Sequence, residues 1–190
     1  MRGETRRYTM MNIQFQTSDL SALHRAIEAG CKWVRWMPEG NTKDQAAEAL
    51  EVCRQHEAVM IVDDDASLCL ELKADGVHLH DAAQAGTVRR ELGEEPLIGV
   101  TVANFDEART ARAGGADYLE METQESIDHE QLRQMVLDLY EADFPLPLSV
   151  AGSVTPNDIP TISGTGARGI ATSDEAFFKK DIWALIDKLA

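Results

Sequence analysis

The chain has 190 residues, of which 44% are apolar and 27% charged, so it is long enough to bury the core of one domain and is not a disordered chain. Its 33 acidic and 18 basic residues give a net charge of −15, which argues against general binding to nucleic acids or to anionic membrane surfaces. No apolar run approaches the ~18 residues of a membrane span.

The N-terminal residues and the cysteines indicate in which cellular compartment the protein is expected. Residues 1–10 contain three arginines with no apolar stretch behind them, so no secretory signal is predicted there. We expect residues 1–10 to be a frayed extension and residues 11–190 to form a single domain. No C-x-x-C spacing occurs, which predicts buried, reduced thiols and a cytoplasmic location rather than disulfides or a zinc site for Cys31, Cys53 and Cys69.

Apolar runs and helical patterns alternate regularly along the chain. The predicted helices have apolar residues at three- and four-residue steps, and the first is bounded by Asp19 as an N-cap and by Gly30. The predicted strands are residues 13–16, 32–37, 58–62, 76–79, 97–102, 116–121, 146–150 and 169–171. The predicted helices are residues 20–29, 42–56, 66–72, 87–92, 106–113, 128–140, 156–162 and 174–189.

Eight strands and eight helical segments therefore alternate along a single domain. We read the strands as continuous apolar runs, which are typical of parallel sheets with both faces buried. The pattern predicts an α/β fold, a compact TIM (β/α)8 barrel of parallel strands. A flavodoxin-like doubly wound sheet is the alternative, but its five or six strands would leave two units unplaced.

Several short segments are recognisable in order along the chain. Residues 74–79 read A-D-G-V-H-L, residues 98–101 read I-G-V-T, and residues 115–118 read G-A-D-Y. Residues 150–155 read V-A-G-S-V-T, and residues 166–173 read G-A-R-G-I-A-T-S. Together these segments resemble the thiamine phosphate synthase and TenI superfamily, whose corresponding segments are A-D-G-V-H-L-G, I-G-V-S-T-H-N, G-A-D-Y, A-I-G-G-I-T and G-A-D-G-V-A-V-V-S.

The resemblance implies a fold and a reaction. The family is a (β/α)8 barrel, in agreement with the alternation of elements. Its synthase joins a hydroxymethylpyrimidine diphosphate to a thiazole phosphate and releases pyrophosphate, with Mg²⁺ and basic groups stabilising the leaving group. The implied ligand is a small phosphorylated heterocycle, pyrimidine or thiazole, and a homo-oligomer is compatible with the sequence.

Some positions of the family's site keep polar side chains. By resemblance, Arg35 and Thr101 are the candidate catalytic residues, and Thr101 replaces a serine that donates to phosphate. Asp63 is a candidate substrate-binding residue. Asp64 matches one Mg²⁺ aspartate of the family, whereas the position of the second is Ala83.

The segments after the last two predicted strands are candidates for phosphate binding. The usual phosphate site of a TIM barrel lies after strands seven and eight, and backbone N–H groups at a helix start can hold an anion without lysine. The candidate residues are Gly152, Ser153, Thr172 and Ser173.

Other positions have lost the family's chemistry. The second strand of the family ends in Q-L-R-x-K, but Met37 and Glu39 stand where the two cations would be. A histidine after the fifth strand is replaced by Ala103. The phosphate-binding loop with its lysine is shortened after the sixth strand, where Glu120 and Glu122 replace glycines. A carboxylate 4 Å from a phosphate costs about 1–4 kcal/mol at moderate effective dielectric.

Two of these features have alternative interpretations. Arg35 is either paired with Asp63 or Glu120, or binds an anion. The acidic run after the third predicted strand either holds a metal or provides an N-cap through Asp64 or Asp65. A mixed nitrogen and oxygen metal site is also open for His78, His80, Asp64, Glu120 and Glu122.

We therefore expect a synthase-like barrel whose activity is altered or lost, and the sequence leaves open whether it is an enzyme. One alternative is a non-catalytic or regulatory ligand-binding pseudoenzyme. Another is a TenI-like thiazole tautomerase or a different phosphate-binding barrel enzyme.

Overall fold

Eight parallel strands form a closed barrel in the computed structural model, which describes residues 12–123, 128–143, 146–179 and 183–184. The strands follow each other around the barrel in chain order, and β1 pairs with β8 to close it. They are β1 (Asn12–Thr17), β2 (Trp33–Trp36), β3 (Val59–Asp63), β4 (Gly76–Leu79), β5 (Leu97–Thr101), β6 (Tyr118–Thr123), β7 (Leu148–Gly152) and β8 (Gly169–Thr172). The predicted TIM barrel is confirmed, and the doubly wound alternative is excluded.

Seven α-helices lie between the strands in the described part of the chain. They are α1 (Leu20–Glu28), α2 (Lys43–Gln55), α3 (Ala66–Leu72), α4 (Ala85–Leu92), α5 (Phe105–Ala113), α6 (His129–Glu141) and α7 (Ile159–Thr165). Short 3-10 turns cover Ala82–Gln84, Pro156–Asp158 and Glu175–Phe177. None of the described helices is both long and apolar enough to cross a bilayer.

The last predicted helix, residues 174–189, differs from the structure over residues 174–179, whereas residues 183–184 are helical as predicted. Asp174 accepts the backbone N–H of Ala176 and starts a 3-10 turn, and the backbone then leaves helical geometry at Phe178. This break places the ring of Phe178 edge-on against Phe15, with ring centroids 4.9 Å apart. Residues 180–182 and 185–189 of the predicted helix, and the predicted extension over residues 1–10, lie outside the described residues.

Side-chain caps explain why helices begin so soon after the strands. Asp19, Thr42, Asp65, Asn104 and Asp128 each accept a backbone N–H from the first turn of the helix that follows. Such caps satisfy N–H groups that have no partner within the helix. A capping carboxylate is also stabilised by the positive end of the helix dipole. The alternative in which Asp65 caps the third helix is confirmed.

The apolar core lies mainly between the barrel wall and the helices. Residues of one strand face, such as Val34, Trp36, Met60 and Val62, are fully buried in this layer. The three cysteines are unpaired, as predicted, and all three are buried. Burial raises the pKa of the Cys31 thiol to about 11, so it is protonated at neutral pH.

Polar side chains fill the interior of the barrel, and the ring of Tyr118 fits there only because a glycine lies beside it. A Cβ added to Gly99 on β5 would lie 2.0 Å from the Cζ atom of Tyr118, because the Tyr118 ring lies across that strand. Tyr118 in turn contacts the ring of Trp33, with centroids 5.9 Å apart. Gly99 therefore provides the space that lets a large ring enter a narrow barrel.

We expect Gly99→Ala to lower the free energy of unfolding by about 1–3 kcal/mol, because the methyl group overpacks the interior and displaces Tyr118. Urea denaturation measures this change. Gly164→Ala is the matched control, since no atom lies within 4 Å of its added Cβ in α7, and it should leave stability equal or raise it by up to ~1 kcal/mol. Equal urea midpoints for Gly99→Ala and the wild type would contradict the packing described.

Candidate functional site

A buried arginine lies at the centre of the barrel interior. Arg35 on β2 is 1% exposed. Its Nη2 donates to Glu120 Oε2 on β6, its Nε donates to Gln14 Oε1 at 2.8 Å, and its Nη1 lies 3.7 Å from Asp63 Oδ1. Burial by itself would lower the pKa of Arg35, but Glu120, Tyr118 and Asp63 outweigh it and raise the pKa above its usual value. The guanidinium is therefore charged and is neutralised by the chain's own carboxylates.

A buried histidine continues this polar network towards β5. His78 on β4 is fully buried. Its Nε2 lies 2.9 Å from Thr101 Oγ1 and 3.5 Å from Glu120 Oε1, and its Nδ1 lies 3.1 Å from the Tyr118 hydroxyl. Burial, and then the nearby Arg35 and His80, hold the pKa of His78 well below its usual value, so the ring is neutral. Thr101 is half-buried and is where this chain of hydrogen bonds approaches the surface.

A cleft opens at the C-terminal ends of β2, β3 and β4. It has a volume of about 750 Å³ and is lined by Ser18, Met37, Pro38, Glu39, Asp63, Asp64, Asp65 and His80. His80 is half-exposed, and its Nε2 lies 3.1 Å and 3.2 Å from the two carboxylate oxygens of Asp63. The predicted substrate-binding residue Asp63 is thus shared between Arg35 inside the barrel and His80 in the cleft.

Asp64 is exposed in the same cleft, in a left-handed backbone conformation with φ of 47°. Its backbone N–H donates to the carbonyl oxygen of His78 at 2.8 Å, and its Oδ1 accepts the backbone N–H of His80 at 3.4 Å. These bonds fix the end of β3 against the end of β4. The Asp64 carboxylate is held at the surface of the cleft, where it was predicted to bind a metal.

The predicted phosphate-binding residues after β7 lie at the same end of the barrel. Gly152 and Ser153 are exposed. Gly152 has φ of 100°, and a Cβ there would lie 1.9 Å from the carbonyl oxygen of Thr123. That same oxygen accepts the backbone N–H of Ser153 at 3.4 Å. The loop is therefore held against β6, and Ser153 is exposed in it.

The predicted residues after β8 differ from each other in exposure. Thr172 is buried, and its Oγ1 accepts the backbone N–H of Asp174 at 3.0 Å. Ser173 is exposed at the end of the strand. Thr172 therefore shapes the turn, and Ser173 is the residue of this pair with a side chain open to solvent.

We call the rim the eight segments that run from the end of each strand to the next helix or 3-10 turn, and these segments carry a strong negative charge. With residues 124–127 counted from their sequence alone, the rim contains no lysine or arginine, and His80 is its one histidine. Its carboxylates are Asp19, Glu39, Asp64, Asp65, Asp81, Glu125, Asp128 and Asp174. These eight segments, which lie at the end of the barrel where ligands bind in this fold, therefore supply no positive side chain of lysine or arginine for a diphosphate.

The donor set for a metal is correspondingly small. Among the described residues, no group of three or more histidine, cysteine, aspartate or glutamate side chains gathers as a metal site. The alternative of a mixed nitrogen and oxygen site is therefore not found among these residues, because His78 is hydrogen-bonded to Thr101 and Tyr118 instead.

For Mg²⁺, the chain offers the Asp64 carboxylate, and Ala83 occupies the second expected position. Mg²⁺ is usually bound by one or two carboxylates together with substrate phosphates. The Asp64 carboxylate would hold Mg²⁺ together with a substrate phosphate, and this role stays a prediction.

The structure brings Arg35, Asp63 and Thr101 into one connected network, and it places Gly152, Ser153 and Ser173 apart from that network, at the rim. Gln14 and Tyr118 were missed by the sequence reasoning. The available signal was the alternation of polar and apolar residues in β1 and β6, which places Gln14 on the polar face of β1 and Tyr118 and Glu120 on one face of β6.

The neutral state of His78 predicts a pH-dependent stability. Unfolded histidine binds a proton with a pKa of about 6.5, whereas the folded ring does so only well below that value, so the folded state loses stability as pH falls. Between pH 7.5 and 5.5 we expect His78 to contribute a loss of about 1.4 kcal/mol, measured by urea unfolding at each pH.

His78→Gln should lack this contribution and show a shallower pH dependence than the wild type over the same range. His24→Gln, on the exposed side of α1, is the matched control and should keep the wild-type slope. The same pH dependence in His78→Gln and in the wild type would show that His78 is not held neutral.

Comparisons with known proteins agree with this fold. The family model described as thiamine monophosphate synthase matches residues 8–176. Thiamine-phosphate synthase from Bacteroides fragilis strain YCH46 is 33% identical over 185 residues, which cover 86% of this chain and 91% of that protein. Thiamine-phosphate synthase from Bacteroides thetaiotaomicron is 33% identical over 186 residues, covering 86% of this chain and 88% of that protein.

A solved structure shows the same architecture. The thiamine phosphate pyrophosphorylase from Pyrococcus furiosus superposes with a TM-score of 0.80 at 20% identity, covering 97% of this chain and 99% of that chain. At this identity the likeness shows the fold alone, and membership rests on the family model and on the Bacteroides relatives. The chain belongs to the thiamine monophosphate synthase family.

Proposed function

We propose that this chain acts in thiamine biosynthesis, where it binds a small heterocycle of pyrimidine or thiazole type, and that it does not couple the two heterocycles. Membership of the family and the full-length similarity to thiamine-phosphate synthases support the first part. The geometry and charge of the site support the second part.

The carrying observation is that, among the described residues, the one cation inside the barrel is paired and the rim carries no lysine or arginine. Release of pyrophosphate needs preorganised positive charge directed at the departing anion. Arg35 is buried against Glu120 and Asp63, and the rim has neither lysine nor arginine in its sequence. A carboxylate 4 Å from a phosphate costs about 1–4 kcal/mol at moderate effective dielectric, so several of them oppose a bound diphosphate.

The cleft beside His80 is suited to one heterocycle. Its volume of about 750 Å³ lies within the range of small-molecule sites. Carboxylates on its walls accept hydrogen bonds from ring amino groups or N–H groups. We place a ligand's monophosphate, which carries less charge than a diphosphate, beside the exposed hydroxyls of Ser153 and Ser173.

A proton-transfer reaction such as a TenI-like tautomerisation is the second candidate. It needs no diphosphate and no metal. The observation in its favour is the hydrogen-bonded chain from Tyr118 through His78 to the half-buried Thr101, which reaches from the barrel centre towards the site.

The first experiment is a coupling assay. Purified protein is incubated with hydroxymethylpyrimidine diphosphate, thiazole phosphate and Mg²⁺, and thiamine phosphate is measured by oxidation to a fluorescent product. The thiamine-phosphate synthase of Bacteroides fragilis is the positive control. We expect no product above the protein-free reaction, and product formed by the wild type would overturn the proposal; loss of that product in Asp64→Ala would assign it to this site.

The second experiment measures binding by thermal unfolding with thiamine, thiazole phosphate and hydroxymethylpyrimidine phosphate. A ligand at 100 times its Kd stabilises the folded state by about 2.7 kcal/mol even without turnover. Ser153→Asp should weaken the response to a phosphorylated ligand because it adds negative charge at the proposed phosphate position. Thr110→Asp adds the same charge at an exposed position of α5 and should leave the response to the phosphorylated ligand unchanged. Absence of any response to all three ligands would contradict the binding function.

A further inference from the structure

The acceptors around Arg35 come from three other strands. Glu120 is on β6, Gln14 is on β1 and Asp63 is on β3. In a barrel of eight strands in chain order, β2 and β6 stand opposite each other, so the Arg35–Glu120 ion pair crosses the barrel axis. Nε, Nη1 and Nη2 of the guanidinium each face an oxygen supplied by the chain itself.

Glu120 is placed as a bound anion would be. Its side chain is 3% exposed, with Oε2 on the guanidinium and Oε1 3.5 Å from His78 Nε2. Because His78 is neutral, Arg35 is the positive charge that the Glu120 carboxylate faces. The carboxylate therefore has Arg35 as its charge partner and His78 as a potential hydrogen-bond donor. Groups of these two kinds also recognise the carboxylates and phosphates of ligands.

The position of Glu120 is also close to the open end of the barrel. Glu122 is two residues further along β6, so its side chain points to the same face, and it is exposed. Thr101, which pairs with Glu120 in the β5–β6 register, is half-exposed. The Glu120 carboxylate thus lies one layer of side chains below solvent.

We propose that Glu120 is a specificity-determining residue: its carboxylate occupies the anion position beside Arg35 and thereby excludes anionic groups of a ligand from the barrel interior. The proposal deepens the proposed function, since it names the residue that bars an anionic group. It predicts that removal of the carboxylate turns the Arg35 position into a binding site for a small external oxyanion.

The test uses Glu120→Ala with sodium formate as the probe and thermal unfolding as the readout. Formate carries the same carboxylate as the deleted side chain and is small enough to fit the space left. At ten times the apparent Kd we expect the Tm of Glu120→Ala to rise by about 3–6 °C, in a saturable manner, relative to sodium chloride of equal ionic strength.

Three controls separate this effect from general electrostatics. The wild type should show no saturable response, because its own carboxylate occupies the position. Glu122→Ala removes the same charge from an exposed position on the same strand and should respond as the wild type does. The double variant Arg35→Met with Glu120→Ala lacks the guanidinium and should lose the response to formate.

A folded Glu120→Ala that responds equally to formate and chloride would overturn the proposal, as would an equal response in the double variant. Should Glu120→Ala fail to fold, its refolding yield is measured by circular dichroism in the two salts. A higher yield in formate supports the proposal, and equal yields overturn it. The coupling assay uses the wild type, so failure of the proposed function is read separately from failure of this inference.

Discussion

A guanidinium at the centre of a closed barrel must be neutralised by the chain itself, and the interior is arranged around that requirement. Arg35 brings Glu120 from the opposite strand and holds Asp63 within ion-pair distance. Removing one partner of such a buried pair typically costs about 3–5 kcal/mol, because the other charge is left without compensation. Arg35 also adds to the effect of burial that lowers the pKa of His78 and keeps this ring neutral.

The pairing of charged groups in the barrel interior determines which side chains are left to contact a ligand. With Arg35 and Glu120 buried, the residues that a ligand can reach are those exposed in the cleft and at the rim, such as His80, Asp64 and Ser173. Much of the rim's acidity has a structural cause, since Asp19 and Asp65 cap helices that start directly after strands. The same short connections that make the barrel compact therefore also make its ligand-binding end acidic.

The fold could be predicted because each unit carries local signals, and the bounds of the third helix and fourth strand agree with the structure to the residue. The sequence predicted Asp63 or Glu120 as the partner of Arg35, and in the structure Arg35 contacts both carboxylates. The polar interior was missed because the strands were taken as continuous apolar runs, although β1 and β6 alternate. The cleft beside His80 depends on how β3 and β4 meet in space, which spacing along the chain does not encode.

The acidic rim acts on a ligand before any contact is made. At physiological ionic strength the field of exposed charges extends about 8 Å, so a phosphorylated metabolite meets repulsion as it approaches the barrel. Electrostatic steering changes the rate of association more than it changes the affinity of the final complex. Here it slows the association of anions and speeds that of cations. Selection among ligands is therefore partly a matter of arrival rate, and added salt reduces the difference between charged and neutral candidates.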